Sequence, residues 1–208
     1  MEVNHLKSFR YGVNGMMVNP KNIIQSLADL ELARQILPIW TDWGVEDSGV
    51  SIHSLGLSYL AHAGNKLGFC AVTEIPAPRK GSFEHITADV RSDSAWFNCT
   101  SQKVELLAEF ERFNGGQKDL SSKVENLLLA QHRWNNPEAI LLMAYWTEGL
   151  IRLTDHAFLR NIISRGYETQ LREEVAGGNG ACLCFLQFIM QRGKDKLLRV
   201  SKIMVRGD

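Results

Sequence analysis

Along the chain, apolar and polar positions switch between two periods, and the switches outline the elements. Residues 20–37, PKNIIQSLADLELARQIL, carry Ile24, Leu27, Leu30, Leu32 and Ile36 at helical spacing behind Pro20, which predicts one amphipathic helix closed by Pro38. The following PIWTDWGVEDSG reads as a loop whose two tryptophans pack. A second helix is predicted from about Val50 to Ala63, ended by Gly64-Asn65. LGFCAVTEI is short, apolar and bounded by Gly and by PAPRKG, as a buried strand would be. SDSAWFN and KVELLAEFERF then pair as a hairpin across NCTSQ, and NGGQKD breaks the chain. A helix begins at a Ser122-x-x-Glu125 capping box. EAILLMAYW is another buried strand, and a helix from about Thr154 to Val175 ends at GGNG. ACLCFLQFIMQ and KLLRVSKIMVR close the chain as a hairpin across RGKD. This order predicts an α/β (α+β) fold, a central mixed sheet flanked by helices, without the regular βαβ rhythm of a Rossmann sheet or a barrel.

The stretch AEFERF, residues 108–113, is where pattern and propensity disagree. Leu, Ala, Glu and Arg are good helix formers, Glu105 and Glu109 stand at i, i+4, and Asn114-Gly115 would cap a helix. As a strand, Val104, Leu106, Ala108 and Phe110 line one face and Glu105, Leu107, Glu109 and Glu111 the other. The hairpin context favours the strand, and it brings Asp93 toward Glu109 and Glu111. Three such carboxylates repel one another and raise their own pKa values unless a cation joins them. With Mg²⁺ or Mn²⁺ they make an oxygen-ligand site.

Composition changes this picture little. The chain has 208 residues, enough for one domain with a real core, and its 45% hydrophobic and 22% charged residues are those of an ordinary globular protein. Neither a membrane span nor a signal-peptide core is visible, which predicts a cytoplasmic protein with no membrane partner. The four cysteines read as buried free thiols, because CxC at 182–184 is not a zinc-knuckle spacing. Net charge is zero, yet residues 149–208 hold 10 Lys/Arg against 6 Asp/Glu. That basic extension contains Arg192, Lys194, Lys196, Arg199, Lys202 and Arg206, either a phosphate-facing strip or a hairpin with outward charges. The histidines are scattered and include no HExxH; His85 lies nearest the hairpin. GGNG at 177–180 lacks a following Lys and is a connector.

With Asp93 at the start of one strand and Glu109-x-Glu111 on the next, residues 47–146 resemble the restriction-endonuclease-like, PD-(D/E)xK nuclease superfamily. Its core is a helix, a three-stranded meander, a helix and a strand. By position, Asp93 matches the motif aspartate, Glu109 the motif glutamate, and Glu111 stands at the lysine position. Ser92 replaces the motif proline. Lys123, near the start of the following helix, is within reach as a substitute cation. Asp89 rivals Asp93, and Glu74 at the end of the first strand is a further candidate ligand.

The resemblance implies a Mg²⁺- or Mn²⁺-dependent nuclease acting on DNA, with RNA the alternative, in restriction, phage defence or mobile-element processing. Asp93, Glu109 and Glu111 would hold the metal, Glu111 or Lys123 would handle the attacking water, and Arg192, Lys194, Lys196, Arg199 and Lys202 would contact the phosphate backbone. Assembly as a homodimer or within a larger complex would follow. Two other readings stand beside it: a catalytically inactive subunit of the same fold that binds nucleic acid or partner proteins, and a helical protein–protein module with AEFERF on a helix.

Overall fold

The computed structural model describes residues 19–46, 50–79, 90–115, 118–149 and 155–207. A six-stranded mixed sheet in the order β1-β2-β3-β4-β7-β8 is covered by helices on both faces. The strands are β1 (Phe69–Pro76), β2 (Arg91–Asn98), β3 (Val104–Arg112), β4 (Ile140–Glu148), β7 (Leu183–Arg192) and β8 (Leu198–Arg206). A small separate hairpin consists of β5 (Gly166–Glu168) and β6 (Glu174–Ala176). β1–β2–β3 form an antiparallel meander, β3, β4 and β7 run parallel, and β8 returns antiparallel.

The helices are α1 (Pro20–Leu27), α2 (Leu30–Ile36), α3 (Val50–Lys66), α4 (Lys118–Trp134) and α5 (His156–Arg165). α1, α2 and α3 pack on the face carrying Trp96, Leu106, Ala108 and Phe110; α4 and α5 pack on the face carrying Leu107, Leu141, Met143 and Phe185. β4 lies between parallel neighbours and is buried from Ile140 to Thr147, which explains its unbroken apolar run. Residues 104–112 form the strand that alternation predicted, so the helical-module reading of AEFERF loses its geometric premise. Propensity yields here to tertiary pairing with β2 and β4.

Four expectations are corrected. The predicted helix 20–37 is two helices, because the Asp29 carboxylate accepts from Glu31 N–H at 2.9 Å and caps a new helix in extended backbone. Ser122 is not a cap: α4 starts at Lys118, and fully buried Leu120 already belongs to its apolar face with Val124 and Leu127. The helix expected to reach Val175 stops at Gly166 (φ +69°), where a Cβ would collide with Val175 O, and the chain turns into β5 and β6. The four cysteines are free, but Cys70 and Cys99 are exposed; Cys70 sits on edge strand β1 with its side chain turned from the buried Phe69–Ala71 face.

The WTDWG segment is a π-helical turn (Ile39–Trp43). Trp40 is fully buried and stacks on Phe188 at 5.0 Å, whereas Trp43 is 65% exposed, so only one of the two tryptophans packs. Among the described residues no helix is long and apolar enough to cross a membrane.

Candidate metal centre

The site lies where β2 and β3 part company. Their pairing runs from Phe97–Val104 to Ser94–Ala108; beyond Ser94, β2 stays with β1 while β3 continues along β4. Asp93 fills the opening. Its Oδ2 accepts from Phe110 N–H at 2.7 Å, taking the place of a ladder carbonyl. The Phe110 carbonyl in turn accepts from His53 Nδ1–H at 3.0 Å. A carbonyl can only accept, so Nδ1 carries the proton in the neutral ring and the Nε2 lone pair faces the cluster. One residue of β3, Phe110, thus orients both an imidazole from α3 and a carboxylate from β2 through its backbone.

His53 Nε2 stands 3.8 Å from Asp93 Oδ1. One ligand atom each from His53, Glu74 and Asp93 lie within 4.8 Å of one another, a set that could hold a metal ion. Glu74 has left-handed backbone (φ +53°) within β1, a conformation that strains a residue bearing a side chain.

On the other side of Asp93 lie the two glutamates of β3. Alternation sends both to the α4 face, and Lys123, from the second turn of α4, lies between them. Its Nζ is 2.9 Å from Glu109 Oε2 and 2.8 Å from Glu111 Oε1. Glu109 is 1% exposed, and its Oε1 has no hydrogen-bond partner among the described residues. Burial first, and then the charge of Asp93, push its carboxyl up to about 8 against the pull of Lys123. Burial raises Asp93 too, opposed by the Phe110 N–H, Lys123 and His53. Burial pulls Lys123 down, yet Glu109, Glu111 and Asp93 outweigh it and hold the ammonium above its ordinary range.

Asp93, Glu109, Glu111, Lys123 and Glu74 are therefore neighbours, as the sequence suggested. The compact ligand geometry, however, runs through His53, Glu74 and Asp93, while Glu109 and Glu111 are engaged by Lys123. His53 was missed: nothing in SIHSLG separates it from the other histidines until α3 is laid across β3. Asp89 and His85 lie outside the described residues.

The donors fit a divalent cation. One imidazole nitrogen with two carboxylates is a mixed set, better suited to Mn²⁺ than to Mg²⁺, which prefers oxygen and water. Glu109, buried and incompletely paired, is a further carboxylate beside it.

The basic strip divides. Arg192 Nε is 2.8 Å from Glu148, and Arg199 Nη2 is 2.6 Å from Asp195, so both guanidiniums are ion-paired within the fold. Lys194, Lys196 and Lys202 are exposed and form no ion pair among the described residues. The β7–β8 turn, with Lys194 and Lys196, stands at the carboxyl end of the parallel strands, the end that also carries Glu109 and Glu111. Three strand spacings, about 14 Å, separate β3 from β8. No family model, no curated protein and no solved structure matches this chain.

Proposed function

We propose that the chain is a metal-dependent nuclease that hydrolyses phosphodiester bonds in DNA, built on a restriction-endonuclease-like core. The observation that carries this reading is the buried Asp93, flanked by His53 and Glu74 on one side and by Glu109, Glu111 and Lys123 on the other. The order of elements supports the fold: α3, the β1–β2–β3 meander, α4 and β4 follow one another as in that superfamily. Placement at the carboxyl ends of parallel strands agrees with where open α/β sheets bind ligands.

His53, Glu74 and Asp93 would hold the ion, with Glu109 beside them. When bound there, a divalent cation supplies Lewis-acid polarisation of the phosphate and a lowered pKa for a coordinated water. The chain's own groups do the rest. Lys123 sets a positive charge beside the acidic pair, in the role the motif lysine has in relatives, and offsets charge developing on the phosphate. Glu111, partly open to solvent, accepts the proton of the attacking water at the oxygen that Lys123 does not hold. Lys194 and Lys196 contact backbone phosphates, adding affinity without reading sequence.

Incubation of plasmid and linear DNA with Mn²⁺ or Mg²⁺ tests the proposal. Wild-type protein is expected to cleave, faster with Mn²⁺, and Asp93→Asn and Glu109→Gln to lose at least about 10²-fold in rate. A wild-type protein inert with both cations on duplex DNA, single-stranded DNA and RNA would contradict it. One observation favours a second reading, a non-catalytic subunit: Lys123 is already paired to both Glu109 and Glu111. Nucleic-acid or partner binding that survives neutralising Asp93, Glu109 and Glu111 together, without cleavage by wild type, would select it.

A further inference from the structure

On the sheet face covered by α5, two arginines converge on the ring of Phe185. Arg206 on β8 stands directly opposite Phe185 on β7, and its Nε–H donates to Gln187 Oε1 at 2.8 Å. Arg160 from α5 lies over the same ring, 5.3 Å from its centre. Its Nη1–H donates to the carbonyl of Gly207, the residue after Arg206. His156, one turn earlier on α5, packs on that ring at 4.3 Å and shares a 3.1 Å hydrogen bond through Nε2 with the hydroxyl of Tyr145 on β4.

These two arginines lack a counter-charge. Arg192 and Arg199 meet carboxylates, whereas Arg160 and Arg206 form no ion pair among the described residues, and each donates one hydrogen bond, to a neutral oxygen. A guanidinium carries five N–H donors, so most of both forks has no partner among those residues. Both side chains are half-buried, neither sealed off nor fully solvated. Burial first, and then the charges of Arg160 and Arg206, depress the His156 imidazole to about 4. Asp155, held as the α5 cap by Phe158 N–H, offsets them only in part. The ring is therefore neutral at pH 7, and the cluster keeps two positive charges with nothing between them. Like charges so placed repel each other, and an anion shared by both forks relieves the repulsion. Planar forks match the oxygens of a phosphate, which two guanidiniums also balance in charge.

We infer that Arg160 and Arg206 form a phosphate-binding site, filled either by a backbone phosphate of a nucleic-acid strand or by a terminal phosphate. Tyr145 and His156 position its α5 side. The site looks toward the acidic cluster: Glu111, Tyr145 and Gln187 are neighbours in one row across β3, β4 and β7. It shares no residue with the candidate metal site and stands whether or not that site cleaves.

The test is calorimetric titration in EDTA, where no divalent cation contributes, with a twelve-nucleotide single strand bearing or lacking a 5′-phosphate, inorganic phosphate, and acetate. Saturable binding of a strand or of phosphate is expected, with acetate far weaker. Arg160→Gln and Arg206→Gln should each weaken it at least about tenfold. Arg206→Lys, which keeps the charge and loses the fork, should fall between Arg206→Gln and wild type, and unfolding midpoints verify that each variant is folded. Lys66→Gln, on the opposite face of the sheet, removes the same charge and should leave affinity unchanged. In NMR spectra, phosphate should shift the ring resonances of His156, assigned by their loss in His156→Asn, before those of the other histidines. A strand gaining tenfold or more from its 5′-phosphate identifies a terminal-phosphate site; equal affinities identify a backbone one. Saturation by none of the probes, acetate binding as well as phosphate, or a loss in Lys66→Gln as large as in the arginine variants would overturn the inference.

Discussion

Glu109 is the residue on which burial and charge conflict most. Its carboxyl titrates at about 8 in the fold and about 4.3 in an unfolded chain, so the folded state holds the proton more tightly. Stability is therefore full below about pH 4.3 and falls as pH rises toward about 8; Asp93, raised in the same direction, adds to the decline. Lys123, also raised, contributes a constant amount over this window and loses it only in strong alkali. In metal-free buffer, Glu109→Gln is expected to flatten the decline and to be more stable than wild type at pH 8, by on the order of 1–3 kcal/mol. Urea unfolding at pH 5, 6.5 and 8 checks this, and a flat wild-type curve would count against the burial argument. Asp93, Glu109, Glu111 and Lys123 were legible because strand alternation and helix position are local properties. His53 was not, because its role depends on a peptide 57 residues away.

At the scale of elements, the site depends on how closely α3 approaches β3. Gly56 makes that approach possible: a Cβ there would collide with the ring of Phe110, which is fully buried and has nowhere to move. His53 lies one turn earlier on the same helix, so a shift of α3 carries the imidazole away from Phe110 O. Gly56→Ala is expected to cost about 1–3 kcal/mol in urea unfolding. It should also weaken Mn²⁺ binding, measured on the fraction that is folded. Undiminished Mn²⁺ affinity would separate α3 from the candidate metal site. The six strands of the main sheet were readable from periodicity, since each buries one face or both, but the short β5–β6 hairpin was not. Helix ends were less so. Asp29 caps, Leu120 extends and Gly166 stops their helices through hydrogen bonds and packing that no period encodes.

Across the whole molecule, the terminal hairpin is part of the sheet, since β7 pairs in parallel with β4 over eight residues. That pairing brings the β7–β8 turn to the same rim as the candidate metal site, a relation that sequence could not supply because it depends on strand order. If the turn tracks a phosphate backbone, Lys194→Ala with Lys196→Ala should weaken DNA binding for all sequences alike. The slope of log K against log salt should fall by about two, roughly one per lysine. Binding measured in Ca²⁺ from 50 to 200 mM salt reads this out, and an unchanged slope would free the turn of that role. Arg192 and Arg199, committed to Glu148 and Asp195, should matter to the hairpin's stability more than to the slope.

The claim on which the rest depends is that His53, Glu74 and Asp93 share one cation, and anomalous diffraction from crystals soaked in Mn²⁺ measures it most directly. The expected result is a manganese peak in contact with His53 Nε2 and the carboxylates of Glu74 and Asp93, lost in His53→Ala crystals. A difference map with no peak among those three residues, or with manganese bound only elsewhere on the surface, would contradict it.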